Sequence, residues 1–150
     1  MNLLVLPGDD IGPEITDAAL SVLRRIDAIF SLGLRFETRE IGMASHRRSG
    51  TTLPEPVIAD ALAADAVILG PAGMTDYPPR EQGGINVPGT LRKRLDLYAN
   101  LRPARSRAGL PDARPGLDCL IVRENTEGFY SDRNMFMGSA EFMPTEDVAL

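Results

Sequence analysis

Three arginines, Arg92, Arg102 and Arg123, stand beside or within apolar segments, and Tyr130 follows the last of them. A guanidinium carries a fixed charge and a planar fork of donors, so it grips a carboxylate through two parallel hydrogen bonds. Arg102 lies on an extended apolar stretch just before Pro103, where a buried guanidinium would need an anion to satisfy it. Arg123 ends an apolar run, and ligands of α/β sheets gather at strand ends. Together the three read as a clamp for an acidic small molecule. Taken singly, each reads first as half of a structural ion pair, with Glu124 and Glu127 nearest to Arg123. By itself Tyr130 reads as a core aromatic with its hydroxyl at the surface.

Two further stretches could meet a ligand. The first is Gly8-Asp9-Asp10-Ile11-Gly12-Pro13-Glu14, where a strand turns into a helix. A helix N-terminus offers free N–H groups and a positive dipole end to an anionic or polar group. The plain alternative is a connection in which Asp9 or Asp10 only caps the helix. The pattern is not GxGxxG, so no Rossmann fingerprint is read. The second is the loop of residues 71–89, rich in glycine and proline. Its glycines would let a cofactor approach the backbone, and Asn86 offers both a donor and an acceptor. A lid without contacts of its own is the alternative for this loop.

The elements that must position these residues follow from periodicity. Asn2–Leu6 is a short apolar run, stopped by Pro7 and Gly8. Ile15, Ala18, Ala19, Val22, Leu23, Ile26 and Phe30 recur at helical spacing, which predicts an amphipathic helix from about Pro13 to Gly33 with that face buried. Residues 34–41 alternate as a strand does, residues 54–64 read as a helix, and residues 66–70 as a buried strand. A short helix is expected over residues 90–98, with Leu91, Leu95 and Tyr98 on its buried side. An extended path follows over 99–103, a polar connection over 106–115, a buried strand over 117–123, and a turn-rich stretch over 125–142. The alternation of strand and helix predicts an α/β fold with a largely parallel sheet and flanking helices.

Composition narrows the partners. The chain has 150 residues, 43% of them apolar and 25% charged, as in an ordinary globular domain. Its net charge of -5 argues against nucleic acid, and means that an acidic ligand needs positive charge concentrated locally. A lone cysteine, Cys119, excludes an internal disulfide and reads as a buried structural thiol. Asp9 and Asp10 interrupt the first apolar run, so no signal peptide is read, and no run approaches the roughly 18 apolar residues of a membrane span. A reducing cytoplasm and no membrane partner are the resulting expectations.

The segments GDDIGPEI, LRKRLDLYANLRP and IVRENTEGFY, in this order and spacing, resemble the β-decarboxylating dehydrogenases. That family includes isocitrate, homoisocitrate, 3-isopropylmalate and tartrate dehydrogenases. The resemblance runs from residue 3 to about residue 130 and implies an isocitrate/isopropylmalate dehydrogenase-like fold, of which residues 1–150 would be the N-terminal part.

The resemblance implies roles. Arg92, Arg102 and Arg123 match substrate-binding arginines, and Tyr130 matches the catalytic tyrosine that protonates the enol carbon after carbon dioxide leaves. Ile11 and the stretch from Ala72 and Gly73 to Asn86 match segments lining NAD or NADP. Asn86 and Thr90 lie where the family discriminates the substrate's variable group. The implied reaction is oxidative decarboxylation of a 2-hydroxy di- or tricarboxylic acid of the 3-isopropylmalate, isocitrate or homoisocitrate class, assisted by Mg or Mn. A tartrate- or malate-type enzyme and a non-catalytic regulatory subunit are the alternatives. The family's metal-binding aspartates and catalytic lysine lie downstream, so no metal ligand is expected within residues 1–150. The lysine and one aspartate come from a second subunit, which implies a homodimer with shared active sites. Asp10 replaces a glycine of the family's usual first motif; if the position needs positive φ, aspartate tolerates it better than most residues. Residues 83–91 match neither the isopropylmalate nor the isocitrate pattern, which leaves the acid open.

Overall fold

The computed structural model describes residues 1–107, 109 and 114–125 in full, together with the backbone of 135–138 and 141–144. The chain divides into two compact units, Met1–Leu95 and Asp96–Leu150.

The first unit is built on a three-stranded parallel sheet. Strand β1 (Asn2–Leu6) lies between β2 (Arg35–Thr38) and β3 (Ala66–Leu69). Only β1 has neighbours on both sides, and Leu3, Leu4, Val5 and Leu6 are all buried. The edge strand β3 is half-buried at Val67 and Ile68 and exposed at Ala66 and Leu69, so it is less enclosed than its apolar run predicts. Helix α1 (Gly12–Phe30) connects β1 to β2; α2 (Gly42–Ser49) and α3 (Glu55–Ala63) carry the chain back across β1 to β3. Right-handed crossovers in opposite directions put their helices on opposite faces of the sheet. Accordingly Arg24 of α1 lies 5.7 Å from the Phe36 ring, on the face shared with Leu3. Leu4 and Leu6 face the other way, into a core with Ile41, Leu53, Val57, Ile58, Ala61, Val87 and Leu91. Helix α4 (Val87–Arg94) contributes the last two of these.

Several expectations are corrected in this unit. The periodic face predicted for α1 is largely at the surface: Ile15, Val22 and Phe30 are exposed, and Thr16 and Leu20 are the buried positions. The helix carries two apolar stripes, and a single helix lying on a sheet buries only one of them. It ends at Ser31, in left-handed conformation, before Gly33. Helix α2 was not expected, because its polar sequence GMASHRRS shows no apolar period. Helix α4 starts at Val87 rather than Thr90 and stops at Arg94, leaving Tyr98 outside it and 69% exposed.

The loop after β3 is anchored rather than free of contacts. Two short 3-10 turns, Met74–Asp76 and Arg80–Gln82, shape it. Thr52, fully buried, clasps its far end: the Ile85 amide donates to Thr52 Oγ1 at 2.8 Å, and the Thr52 amide donates to the Gly83 carbonyl at 3.0 Å. Gly83, at φ +90, and Gly84 are packed so closely that added side chains would strike the Gly50 and Pro78 carbonyl oxygens.

The second unit contains an antiparallel ribbon of β4 (Ala99–Arg105) and β5 (Asp118–Glu124), and a second antiparallel pair of β6 (Met135–Gly138) and β7 (Glu141–Pro144). The parallel character therefore belongs to the first unit, and residues 125–142, expected to be turn-rich, include all of β6 and the start of β7. Strand β5 is not buried: Leu120, Ile121 and Val122 are each more than half exposed, and so is the Cys119 site open to solvent. Among the described residues β5 has one neighbour strand, and an apolar strand in a two-stranded ribbon stays accessible.

Candidate functional site

Adjacent strands β1 and β3 send the chain to opposite faces of the sheet, β1 into α1 and β3 toward α4. This opens a crevice at their C-terminal ends, the place where parallel α/β sheets bind ligands. The turn after β1 forms one lip. Gly8 sits at φ +83 against the chain leaving β3, where a side chain would come 1.9 Å from the Pro71 carbonyl oxygen. The Asp9 amide donates to that same oxygen at 2.8 Å. Asp10 adopts φ 52, so the position where the family motif has glycine does require left-handed backbone, which aspartate supplies. Ile11 stands 57% exposed at the start of α1, an apolar side chain presented to solvent.

Neither Asp9 nor Asp10 caps α1: Ile11 holds the N-cap position and no side chain bonds the helix end. Asp9 is instead buried at 8% exposure beneath the turn. Its Oδ1 accepts from the Met43 amide at 2.7 Å; its Oδ2 accepts from the Gly73 amide at 3.0 Å and the Tyr77 hydroxyl at 2.5 Å. Gly42, at φ +72, leaves room for the carboxylate, since a side chain there would come 2.2 Å from Asp9 Oδ1. Burial, the hydrogen bond to Asp9 and the charges of Asp9 and Asp10 push the Tyr77 hydroxyl well above its ordinary pKa. The resulting cleft is lined by Gly8, Asp10, Met43, Arg47, Gly73 and Asp76 among others. Of the residues expected to meet a cofactor, Gly73 lines this cleft; Ile11 and Ala72 adjoin lining residues along the chain without lining it themselves. Sequence reasoning missed Asp9 as an acceptor and did not single out Tyr77, Gly42 or Met43. A buried acid is recognised by the donors around it, and here they arrive from positions 34 to 68 residues away.

Asn86, Thr90 and Arg92 lie on or beside α4. Asn86 is its N-cap, with Oδ1 accepting from the Gly89 amide at 2.9 Å. Thr90 and Arg92 are half-buried, flanking the stripe of Val87 and Leu91 that enters the core. Arg94, one turn on, pairs with Glu55 at the start of α3, and that hydrogen bond holds the Glu55 carboxyl below its ordinary pKa.

Arg102 and Arg123 belong to the second unit. Asn100 pairs with Arg123 and Arg102 with Ile121, so all four side chains share one face of the ribbon and the arginines are diagonal neighbours. The Arg102 Nε–H donates to Asn100 Oδ1 at 2.8 Å. Leu101, Pro103, Leu120 and Val122 occupy the opposite face. Arg102 is exposed, not buried as its apolar neighbours suggested; Arg123 is half-buried. The sorting is partial: Ile121 shares the arginine face, and Arg105, Asp118 and Glu124 share the face of Leu101, Pro103, Leu120 and Val122. Tyr130 and Glu127 lie outside the described residues.

The family model for isocitrate/isopropylmalate dehydrogenase matches residues 2–149. The chain belongs to the isocitrate/isopropylmalate dehydrogenase family. It is 39% identical over 149 residues to the 3-isopropylmalate dehydrogenase of Methanothermobacter thermautotrophicus, covering 99% of this chain and 40% of that protein. It is 41% identical over 133 residues to the isocitrate/homoisocitrate dehydrogenase of Thermus thermophilus, covering 88% of this chain and 37% of the relative. The crystal structure of isocitrate dehydrogenase from Methylococcus capsulatus aligns with a TM-score of 0.72 at 33% identity, covering 99% of this chain and 42% of that one. The chain therefore spans about two fifths of the length of the curated relatives it matches. In this member of the family, the crevice at β1 and β3 lies in the first unit and the diagonal arginines Arg102 and Arg123 in the second.

Proposed function

We propose that the full-length protein oxidatively decarboxylates a 2-hydroxy di- or tricarboxylic acid, with NAD or NADP as hydride acceptor and Mg or Mn as the metal. The observation that carries this reading is the cationic face of the ribbon, Arg102 beside Arg123, in a family whose relatives are named for hydroxy-acid dehydrogenases. Arg92, Arg102 and Arg123 would hold the substrate's carboxylates and fix its orientation. Asn86 and Thr90 would meet its variable group.

The crevice suits a nicotinamide. Gly8 and Gly73 line the cleft with backbone alone, and the exposed Ile11 side chain at the start of α1 would offer an apolar surface to a flat ring. Ile11, Ala72, Gly73 and Asn86 would hold the cofactor, which when bound accepts the hydride from the hydroxyl-bearing carbon. The hydroxyl proton is lost, a ketone forms, and the bond to the β-carboxylate breaks to release carbon dioxide. Tyr130 then delivers a proton to the enol carbon left behind. A metal is a different matter: among the described residues, no group of three or more His, Cys, Asp and Glu is placed to hold one. No step is assigned to a metal on these residues.

Full-length protein is tested with isocitrate, homoisocitrate, 3-isopropylmalate, malate and tartrate, with Mg or Mn and each dinucleotide, by absorbance of the reduced nicotinamide. Metal-dependent reduction with at least one acid is expected; none with any acid overturns the reading. In Tyr130→Phe, kcat should fall about 100-fold or more while the acid's Kd moves little. We further infer a homodimer with shared active sites and a cytoplasmic setting, consistent with a single cysteine; sedimentation showing only monomer would remove the first.

A further inference from the structure

We propose that Asp9 and Tyr77 are positioning residues for the dinucleotide: they lock the two lips of the crevice, the Asp10–Ile11 turn and Gly73, in the geometry that receives the nicotinamide. The inference rests on the cofactor reading above and extends it to two residues that fix the lips, Asp9 within the cleft lining and Tyr77 outside it.

Three donors from two separate stretches converge on the Asp9 carboxylate: Met43 at the start of α2, and Gly73 and Tyr77 on either side of the first 3-10 turn after β3. The Asp9 main chain adds two bonds, its amide to the Pro71 carbonyl and its carbonyl from the Gly12 amide, at 2.8 and 2.7 Å. One residue thus ties the turn after β1 to the segment after β3 through main chain and side chain together. No salt bridge reaches Asp9 among the described residues, so its charge is satisfied by amides and a phenol. Charge-assisted bonds of this kind are short and directional, which suits them to fixing backbone.

The packing points the same way. Gly42 admits the carboxylate and Gly8 admits the Pro71 carbonyl, each at positive φ. At Gly73, a side chain would come 3.1 Å from Asp10 Oδ2, so the two lips already touch closely. Tyr77 is half-buried with its ring against the core cluster, and it places its hydroxyl without being part of the cleft lining. Asp9 lines the cleft and grips Gly73, while the Tyr77 hydroxyl holds the same Asp9 oxygen from outside the lining, so Tyr77 acts on the cleft only through Asp9.

Tyr77→Phe keeps the ring and removes only the hydroxyl. In the full-length protein, we expect the Kd and KM for the oxidised dinucleotide to rise about three- to tenfold. The KM for the acid should stay within about twofold, and hydrogen exchange at the Gly73 amide should quicken. Asp9→Asn replaces the oxygen facing Gly73 or Met43 with an amide that cannot accept, so it should weaken dinucleotide binding further; Asp9→Ala should be no better. Unchanged dinucleotide affinity in both Tyr77→Phe and Asp9→Asn overturns the proposal. So does a loss shared equally by acid and dinucleotide, which would mark a merely structural bond. Should Asp9→Asn fail to fold, Tyr77→Phe decides. If the wild-type protein reduces neither dinucleotide with any acid, the dehydrogenase reading has failed; quickened Gly73 exchange in Tyr77→Phe would then show the contact to be real but not a cofactor support.

Discussion

Asp9 and Arg102 illustrate how little a residue's type says about its setting. The aspartate, which looked like a helix cap, is buried among donors; the arginine, which looked buried, is exposed on a ribbon. Two predictions belong at this scale. Burial and the adjoining Asp9 keep the Tyr77 hydroxyl protonated beyond its ordinary value of 10.0. The fold binds this proton more tightly than the unfolded chain does. Its contribution is therefore fully present below about pH 10 and is lost as pH rises above it. Thermal midpoints should drop above that pH more steeply in the wild type than in Tyr77→Phe; parallel curves would deny the linkage. For Arg102→Ala, the KM of every accepted acid should rise by about tenfold or more, with the dinucleotide KM steady. A change confined to one acid would make Arg102 a specificity residue instead.

At the scale of elements, the segment from β3 to α4 is the informative one. Its glycines and prolines fit either an active-site loop or a lid without contacts of its own, and the buried Thr52, bonded to Ile85 and Gly83, shows that the loop is anchored. Thr52→Val removes that hydroxyl and leaves the Ile85 amide without its acceptor. A destabilisation of about 1–3 kcal/mol is expected by denaturant titration, with Thr52→Ser losing much less. Asn86→Ala removes the α4 cap and should cost about 1 kcal/mol. If its larger effect falls on acid selectivity, the exposed amide also serves recognition. Helix α2 escaped sequence reading because its role is positional: it brings Gly42 and Met43 to Asp9 while carrying almost no apolar pattern.

At the largest scale, the net charge of -5 over these 150 residues has to be reconciled with the acidic substrate proposed. Arg102 and Arg123 on one ribbon face would do so locally. Raising ionic strength at fixed metal should therefore raise the acid's KM, and Arg102→Ala should flatten that dependence, measured in initial rates. A salt response unchanged by the substitution would place the attraction elsewhere. No helix among the described residues is long and apolar enough to cross a membrane.

The strand–helix alternation, the parallel sheet of the first unit, the turn at Gly8 and the candidate arginines could all be read from periodicity and residue chemistry, because these depend on neighbours along the chain. The left-handed backbone at Asp10 was foreseeable for the same reason: a glycine motif specifies a local φ. Which stripe of α1 is buried, whether β5 is covered, and what Asp9 holds were not foreseeable. Each depends on groups that only the tertiary fold brings near: the sheet under Thr16 and Leu20, the one described neighbour strand of β5, and the amides of Met43 and Gly73 with the Tyr77 hydroxyl. Sequence alone supplied candidate residues for holding an acid; the parallel sheet of the first unit, by sending β1 and β3 to opposite faces, decided where a crevice opens in that unit and that Asp9 lies within its lining.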